Sequence, residues 1–389
     1  MKKLLFYSHD SYGLGNIRRM VAIANFLVSR HRELYILLIT GSPMLHAFRT
    51  QSNIDYIKLP CLQRSKSGTY SAKLDCLSAS ALLDSRAKII QQVITDYEPD
   101  LVLVDKKPGG LNGELKPSLS FLSSLIKPPK LVLLLRDILD TPEVTQQLWR
   151  KNSYYQLVEK YYEQVLVVGE QRIFDMVQQY DFPPSVEKMT EFCGYLQRTE
   201  KSHQSSKLLA HLAKSDRKLV VAAAGGGDDG KLVLETYLLA CHQSSWKDQV
   251  DSIVFYGPEM NVADIKNLQS LAQSLPNTTL SEFSPYFMTY LSAADLVVTM
   301  AGYNTVCEIL SVKTPAILVP RVTPVAEQLI RAQQLAKLEI FEYLHPEHIT
   351  PKELNKKIEN KLFSEEAQLP FPQEISLHGM EKLERHLLA

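Results

Sequence analysis

A chain of 389 residues, 45% apolar and 22% charged, is long enough for two domains with ordinary globular cores. Its 43 Lys+Arg balance 43 Asp+Glu, so it lacks the basic surplus of a general nucleic-acid binder. The five cysteines, Cys61, Cys76, Cys193, Cys241 and Cys307, form no CxxC pair and are odd in number. That pattern argues for reduced thiols in a cytoplasmic setting and against a disulfide framework.

The first apolar run stops at Ser8 and His9, too soon for the core of a signal peptide. No window approaches the roughly 18 apolar residues of a membrane span. A soluble cytoplasmic protein is expected, with peripheral contact at the inner membrane left open.

Leu4–Tyr7 reads as a buried strand, followed by the loop His9-Asp10-Ser11-Tyr12-Gly13-Leu14-Gly15-Asn16. A helix follows, with Ile17, Met20, Val21, Ala24 and Leu27 at helical spacing. Gly13-x-Gly15 lacks the third glycine of a dinucleotide fingerprint and is weak evidence for one. Strands are predicted at Leu34–Thr40 and Ile54–Leu59. Residues 61–80 read as a long loop, with an acceptor or a lid role, or as plain disorder. A helix is predicted from Ser80 to Tyr97.

Pro99–Asp105 is a further strand, running into the loop Lys106-Lys107-Pro108-Gly109-Gly110. Strands at Leu131–Leu135 and Gln164–Gly169 flank a segment with Tyr154, Tyr155, Tyr161 and Tyr162, read as packing between domains. The expected layout is a domain at 1–196, a linker at 197–216, a second domain at 217–372, and a short amphipathic helix within 373–389.

The second half opens with the strand Lys218–Ala224, then Gly225-Gly226-Gly227-Asp228-Asp229-Gly230 and a helix from Lys231. Three glycines bare their backbone N–H groups, and a helix start adds positive dipole, which suits a diphosphate. Asp228 and Asp229 would repel it unless they cap the helix facing away. Ser252–Gly257 is the next strand. Asp295–Thr299 is a buried strand, and Gly302 turns the chain into a helix bearing Thr305 and Glu308. Ala316–Val319 is another strand, ended by Pro320; Arg321, Glu327 and Gln328 follow. Ligands of open parallel sheets sit at this carboxyl edge.

Gly302, Thr305, Glu308, Pro315, Pro320, Glu327 and Gln328, in that order and spacing, resemble the donor-binding half of GT-B glycosyltransferases. The likeness is greatest to the N-acetylglucosaminyltransferases of peptidoglycan synthesis, clear over about Val220 to Lys337 and weaker before. It implies an α/β protein of two Rossmann-like domains facing across a cleft, with the last helix, within 373–389, returning to the first domain. It also implies that Glu308 binds the nucleotide ribose and that Glu327 and Gln328 bind sugar hydroxyls.

A carboxylate accepts from two vicinal hydroxyls at once, in charge-assisted bonds stronger than neutral ones. Taken alone, Glu308 would read as a solvated residue on a helix surface. Phe283 and Met288 match the segment that packs on the base, or are core residues. Arg321 is placed to meet phosphate or sugar, or is a surface arginine.

Within the first loop, Gly13, Gly15 and Asn16 match the glycine-rich segment facing donor phosphates and acceptor. Relatives often carry His where this chain has Asn16, with Arg18 or Arg19 in the basic position. An amide does not titrate, so the general base falls to His9, Asp10 or Asp105. His9 bonded to backbone and Asp105 capping its loop are the plainer alternatives.

The implied activity is transfer of a hexose or N-acetylhexosamine from a nucleotide-diphosphate sugar, such as a UDP-sugar, to a glycan, lipid or small-molecule acceptor. It would invert and need no metal or other cofactor, since no DxD or His cluster is evident. A UDP-sugar 2-epimerase and an inactive nucleotide-sugar-binding protein are the rivals.

Overall fold

A computed structural model describes residues 2–9, 15–43, 50–64, 70–72, 76–199, 203–212, 215–227, 229–364 and 374–389. The chain divides into two compact units, Met1–Gly194 with His378–Ala389, and Tyr195–Leu377.

The strands of the first unit are β1 (Lys2–Ser8), β2 (Leu34–Thr40), β3 (Ile54–Lys58), β4 (Leu62–Arg64), β5 (Tyr70–Ala72), β6 (Leu101–Asp105), β7 (Lys130–Arg136), β8 (Gln164–Val168) and β9 (Thr190–Phe192). Seven form one parallel sheet in the order β3-β2-β1-β6-β7-β8-β9. Helices cover both faces of such a sheet, so its central strands are continuous apolar runs. Leu4, Leu5, Phe6 and Tyr7 of β1 are all buried, as are Leu101–Val104 of β6. The strand order reverses between β1 and β6, which opens a crevice at their carboxyl ends.

Two expectations change here. Within 61–80, predicted as loop, β4 and β5 pair antiparallel, Leu62 opposite Ala72. Ser78 then caps the helix Ala79–Tyr97 by accepting from Ala81 N at 3.1 Å. The tyrosines expected between domains make their described contacts within the first unit. Tyr154, Tyr155 and Tyr162 are buried inside the first unit, where Trp149 stacks on Phe182 with ring centroids 5.2 Å apart. Aromatic side chains carry large apolar area, and Trp149 at the end of its helix collects them.

A buried polar knot ties three elements of this unit. Arg86, on the helix Ala79–Tyr97, donates Nε to Glu114 Oε2 at 2.5 Å and Nη2 to Glu114 Oε1 at 2.7 Å. The Tyr7 hydroxyl donates to the same carboxylate and accepts from Leu111 N at 3.1 Å. The last helix, Gly379–Leu388, lies along the amino ends of the strands. Lys130 Nζ donates to His386 O at 2.7 Å, and Gln164 Nε2 is 2.8 Å from His386 Nδ1.

The second unit holds β10 (Lys218–Ala223), β11 (Val250–Phe255), β12 (Thr278–Ser281), β13 (Leu296–Thr299), β14 (Ala316–Leu318) and β15 (Glu342–Tyr343). They form a parallel sheet in the order β12-β11-β10-β13-β14-β15, which reverses between β10 and β13. The glycine loop after β10 and the Gly302 turn after β13 therefore flank the second crevice. No helix among the described residues is long and apolar enough to cross a membrane.

Candidate functional site

In the first unit, Ser8 at the end of β1 lies in register with Asp105 at the end of β6. His9 follows at once and is buried, and its Nδ1 has no hydrogen-bond partner among the described residues. Burial, then the charges of Lys107 and Lys106, hold its imidazole well below the usual histidine range; a bond to the Asp105 backbone opposes them. The ring is therefore neutral near pH 7.

Asp105 is committed to a buried ion pair, with Arg19 Nη2 donating to its Oδ1 at 2.5 Å. Arg19 also donates to Asn16 Oδ1 at 3.2 Å, so it is Arg19 that joins both predicted residues. Gly15 opens the helix Gly15–Arg30. Asp10 and Gly13 lie outside the described residues.

In the second unit, the glycine loop has physical reasons for its glycines. Gly225 has φ +66° and Gly227 φ +103°. A Cβ on Gly227 would lie 2.4 Å from Tyr256 O, whereas one on Gly225 would meet nothing within 4 Å. Gly225→Ala should thus cost about 1–2 kcal/mol, the left-handed penalty alone. Gly227→Ala should cost more, because the loop must move off the backbone of Tyr256. Equal losses in urea denaturation would contradict this packing.

The helix Lys231–Gln243 is capped by Gly230 with no side-chain bond, so Asp229 is not the cap the sequence allowed for. Its carboxylate instead accepts from Arg321 Nη1 at 2.9 Å. Arg321 is accordingly no bland surface residue. It also reaches Glu327 Oε1 from Nη2 at 3.3 Å, and its backbone N–H donates to Gln328 Oε1 at 3.2 Å. Glu327 Oε2 accepts from Arg331 Nη2 at 3.1 Å, and Arg331 Nη1 donates to Ala301 O at 2.7 Å. This chain of bonds joins the loops after β10, β13 and β14 at one edge.

Sequence reasoning passed over the fully buried Arg331; the signal was its place four residues after Glu327 on one helix face. Asn304, at the start of the next helix, accepts from Arg198 Nη2 at 3.0 Å.

Glu308 is not solvated. It is 2% exposed, on the helix Tyr303–Val312 with Thr305 buried one turn before it. Gly302 caps that helix with φ −64° and ψ 141°, ordinary extended backbone. Its glycine is not required by the turn, as the sequence suggested. A Cβ there would meet nothing within 4 Å, so the missing side chain leaves open space at a helix start.

Phe283 is 64% exposed and not a core residue, while Met288 is half-buried on the helix Phe287–Ala293. Among the described residues, His345, Glu347 and His348 stand together, a grouping no motif in the sequence had singled out.

Residues 226–387 match the family model of the Glycosyltransferase family 28 C-terminal domain. Over 134 residues the chain is 28% identical to the UDP-N-acetylglucosamine--N-acetylmuramyl-(pentapeptide) pyrophosphoryl-undecaprenol N-acetylglucosamine transferase of Glaesserella parasuis serovar 5 (strain SH0165). That match covers 34% of this chain and 37% of the relative, so it spans little more than a third of the curated protein.

Among solved structures, Acinetobacter baumannii MurG superposes with a TM-score of 0.65 at 15% identity, over 100% of this chain and 99% of that one. A putative UDP-N-acetylglucosamine 2-epimerase from Listeria monocytogenes gives 0.63 at 12%, over 98% and 95%. WaaG, a glycosyltransferase involved in lipopolysaccharide biosynthesis, gives 0.59 at 14%, over 99% of each chain. The fold is that of the GT-B glycosyltransferases. In fold the chain is similar to MurG, and residues 226–387 are similar to the C-terminal domain of glycosyltransferase family 28.

Proposed function

We propose that this MurG-like chain is a glycosyltransferase that moves a hexose or N-acetylhexosamine from a nucleotide-diphosphate sugar to an acceptor hydroxyl. The donor lies at the switch point of the second sheet. Glu308 accepts from the ribose hydroxyls, and Glu327 and Gln328 face the sugar. Glu327 retains capacity for this beside its two arginines, since a carboxylate offers about four lone-pair sites. Phe283 and Met288 flank the base.

The diphosphate lies against the helix starts behind Gly225–Gly227 and Gly302, where backbone N–H groups stabilise it as it leaves. Arg321 neutralises Asp229, which removes the repulsion that carboxylate would exert on the donor. The acceptor binds the first unit. Its hydroxyl oxygen attacks the anomeric carbon while the bond to the diphosphate breaks, and His9 takes the proton; the anomeric centre inverts.

The single observation that carries this reading is a buried carboxylate, Glu308, on the helix that starts at the switch point. Glu308→Ala should weaken binding of a UDP-sugar by about 1.5–3 kcal/mol, the range for a hydrogen bond to a charged group. By calorimetry that is roughly a 10- to 150-fold higher Kd. Unchanged affinity would remove the ribose assignment.

Structural neighbours that include a UDP-N-acetylglucosamine 2-epimerase give one rival a footing in the fold. Incubation with UDP-N-acetylglucosamine and no acceptor separates the two, because only an epimerase converts the sugar under those conditions. Donor binding without turnover across an acceptor panel would favour a binding protein instead.

A further inference from the structure

We propose that His345, Glu347 and His348 form a binding site for a divalent metal ion of the zinc class. The three residues occupy the turn between β15 and the helix Pro351–Phe363. Each offers a ligand atom, and these atoms lie within 4.8 Å of one another. The arrangement follows from the local sequence. His348 N donates to His345 O at 3.0 Å, closing a four-residue turn with Pro346 at its second position. Proline is favoured there because its ring presets φ. The turn sets the two imidazoles side by side, with ring centroids 5.4 Å apart.

Both flanks of the turn are anchored. Leu344 N donates to Leu318 O at 2.9 Å, and Thr350 Oγ1 accepts from Glu353 N at 3.2 Å to cap the following helix. His345 Nδ1 and Glu347 Oε2 are 3.9 Å apart. Two ligands of a tetrahedral zinc ion, at bonds of about 2.0–2.1 Å, sit roughly 3.3 Å apart. Small side-chain rotations close that difference, since His348 and Glu347 are exposed and free to adjust. A competing contact, Glu347 N donating to His345 Nδ1, is long at 3.3 Å and gives way to a metal. Water would fill the fourth position, as in zinc sites with three protein ligands. Two imidazoles and one carboxylate select zinc, nickel or copper over magnesium and calcium, which prefer all-oxygen shells.

All three ligands fall within four residues, so the unfolded chain keeps part of the site and a melting shift would understate binding. Calorimetric titration of the whole folded chain with zinc chloride is the direct test, with magnesium chloride alongside. One zinc per chain and no magnesium heat are expected. His348→Ala should weaken zinc binding about 100-fold or more, since even partners outside the coordination sphere contribute about 10- to 100-fold. His345→Ala should do the same, and neither variant should change UDP-sugar affinity.

Equal zinc affinity in the wild type and both histidine variants would overturn the proposal. So would magnesium binding as tight as zinc. Loss of all zinc binding in Cys76→Ser would overturn it as well, because that exposed thiol would then be the ligand.

Discussion

His9→Ala is expected to lower kcat by about 10²–10⁴-fold, the contribution of a positioned general base, while the KM for the donor changes little. The imidazole stands behind β1 at the first switch point, its Nδ1 buried and without a hydrogen-bond partner among the described residues. Burial and the lysine charges of the adjacent loop keep it neutral, which is the form that accepts a proton. The acidic limb of kcat/KM should therefore lie below about pH 6.5, the unperturbed histidine value. A limb at or above that value, or a variant with wild-type kcat, would remove His9 from the mechanism.

The same depression has a stability consequence of definite sign. Between the lowered folded value and about pH 6.5, the unfolded chain binds a proton that the folded chain refuses. Stability is complete above that window and falls as pH drops through it. His9→Asn should flatten that part of the stability profile.

Arg86→Met is expected to cost about 3–5 kcal/mol in urea denaturation, because it leaves the Glu114 charge buried and uncompensated. Both side chains are fully buried, and the guanidinium supplies two of the carboxylate's hydrogen bonds. The Tyr7 hydroxyl supplies another, but cannot replace a positive charge. The double variant Arg86→Met with Glu114→Leu should recover much of the loss, since two apolar groups make no demand on each other. A single-variant cost near that of an exposed pair, about 1 kcal/mol or less, would refute this account.

Where the chain signalled locally, reading it forward worked. The strands stood out as unbroken apolar runs because both faces of a parallel sheet are covered, as the burial of β1, β6 and β13 attests. The spacing Gly302-x-x-Thr305-x-x-Glu308 was legible for a similar reason: one helix carries it, so three positions in sequence are one stretch in space. The turn at His345–His348 was equally local, and went unread because neither histidine belonged to the resemblance.

The side-chain pairs were not legible. Arg19 meets Asp105, Arg321 meets Asp229, and Arg198 meets Asn304 across 86, 92 and 106 residues. No periodicity encodes such partners. The tyrosine cluster failed for a related reason, since aromatic content announces burial without saying against what.

Local pattern by itself determined that this is an α/β chain with two glycine-lined strand ends and a carboxylate one helix away from the second. Tertiary structure alone decided the strand order, and with it the two crevices where that order reverses. It also decided that Glu308 is buried, that Asp105 is spent on Arg19, and that Asp229 is neutralised by Arg321. The division is physical. Backbone periodicity is written within a few residues, whereas burial and charge pairing depend on which distant segments the sheet brings to the same edge.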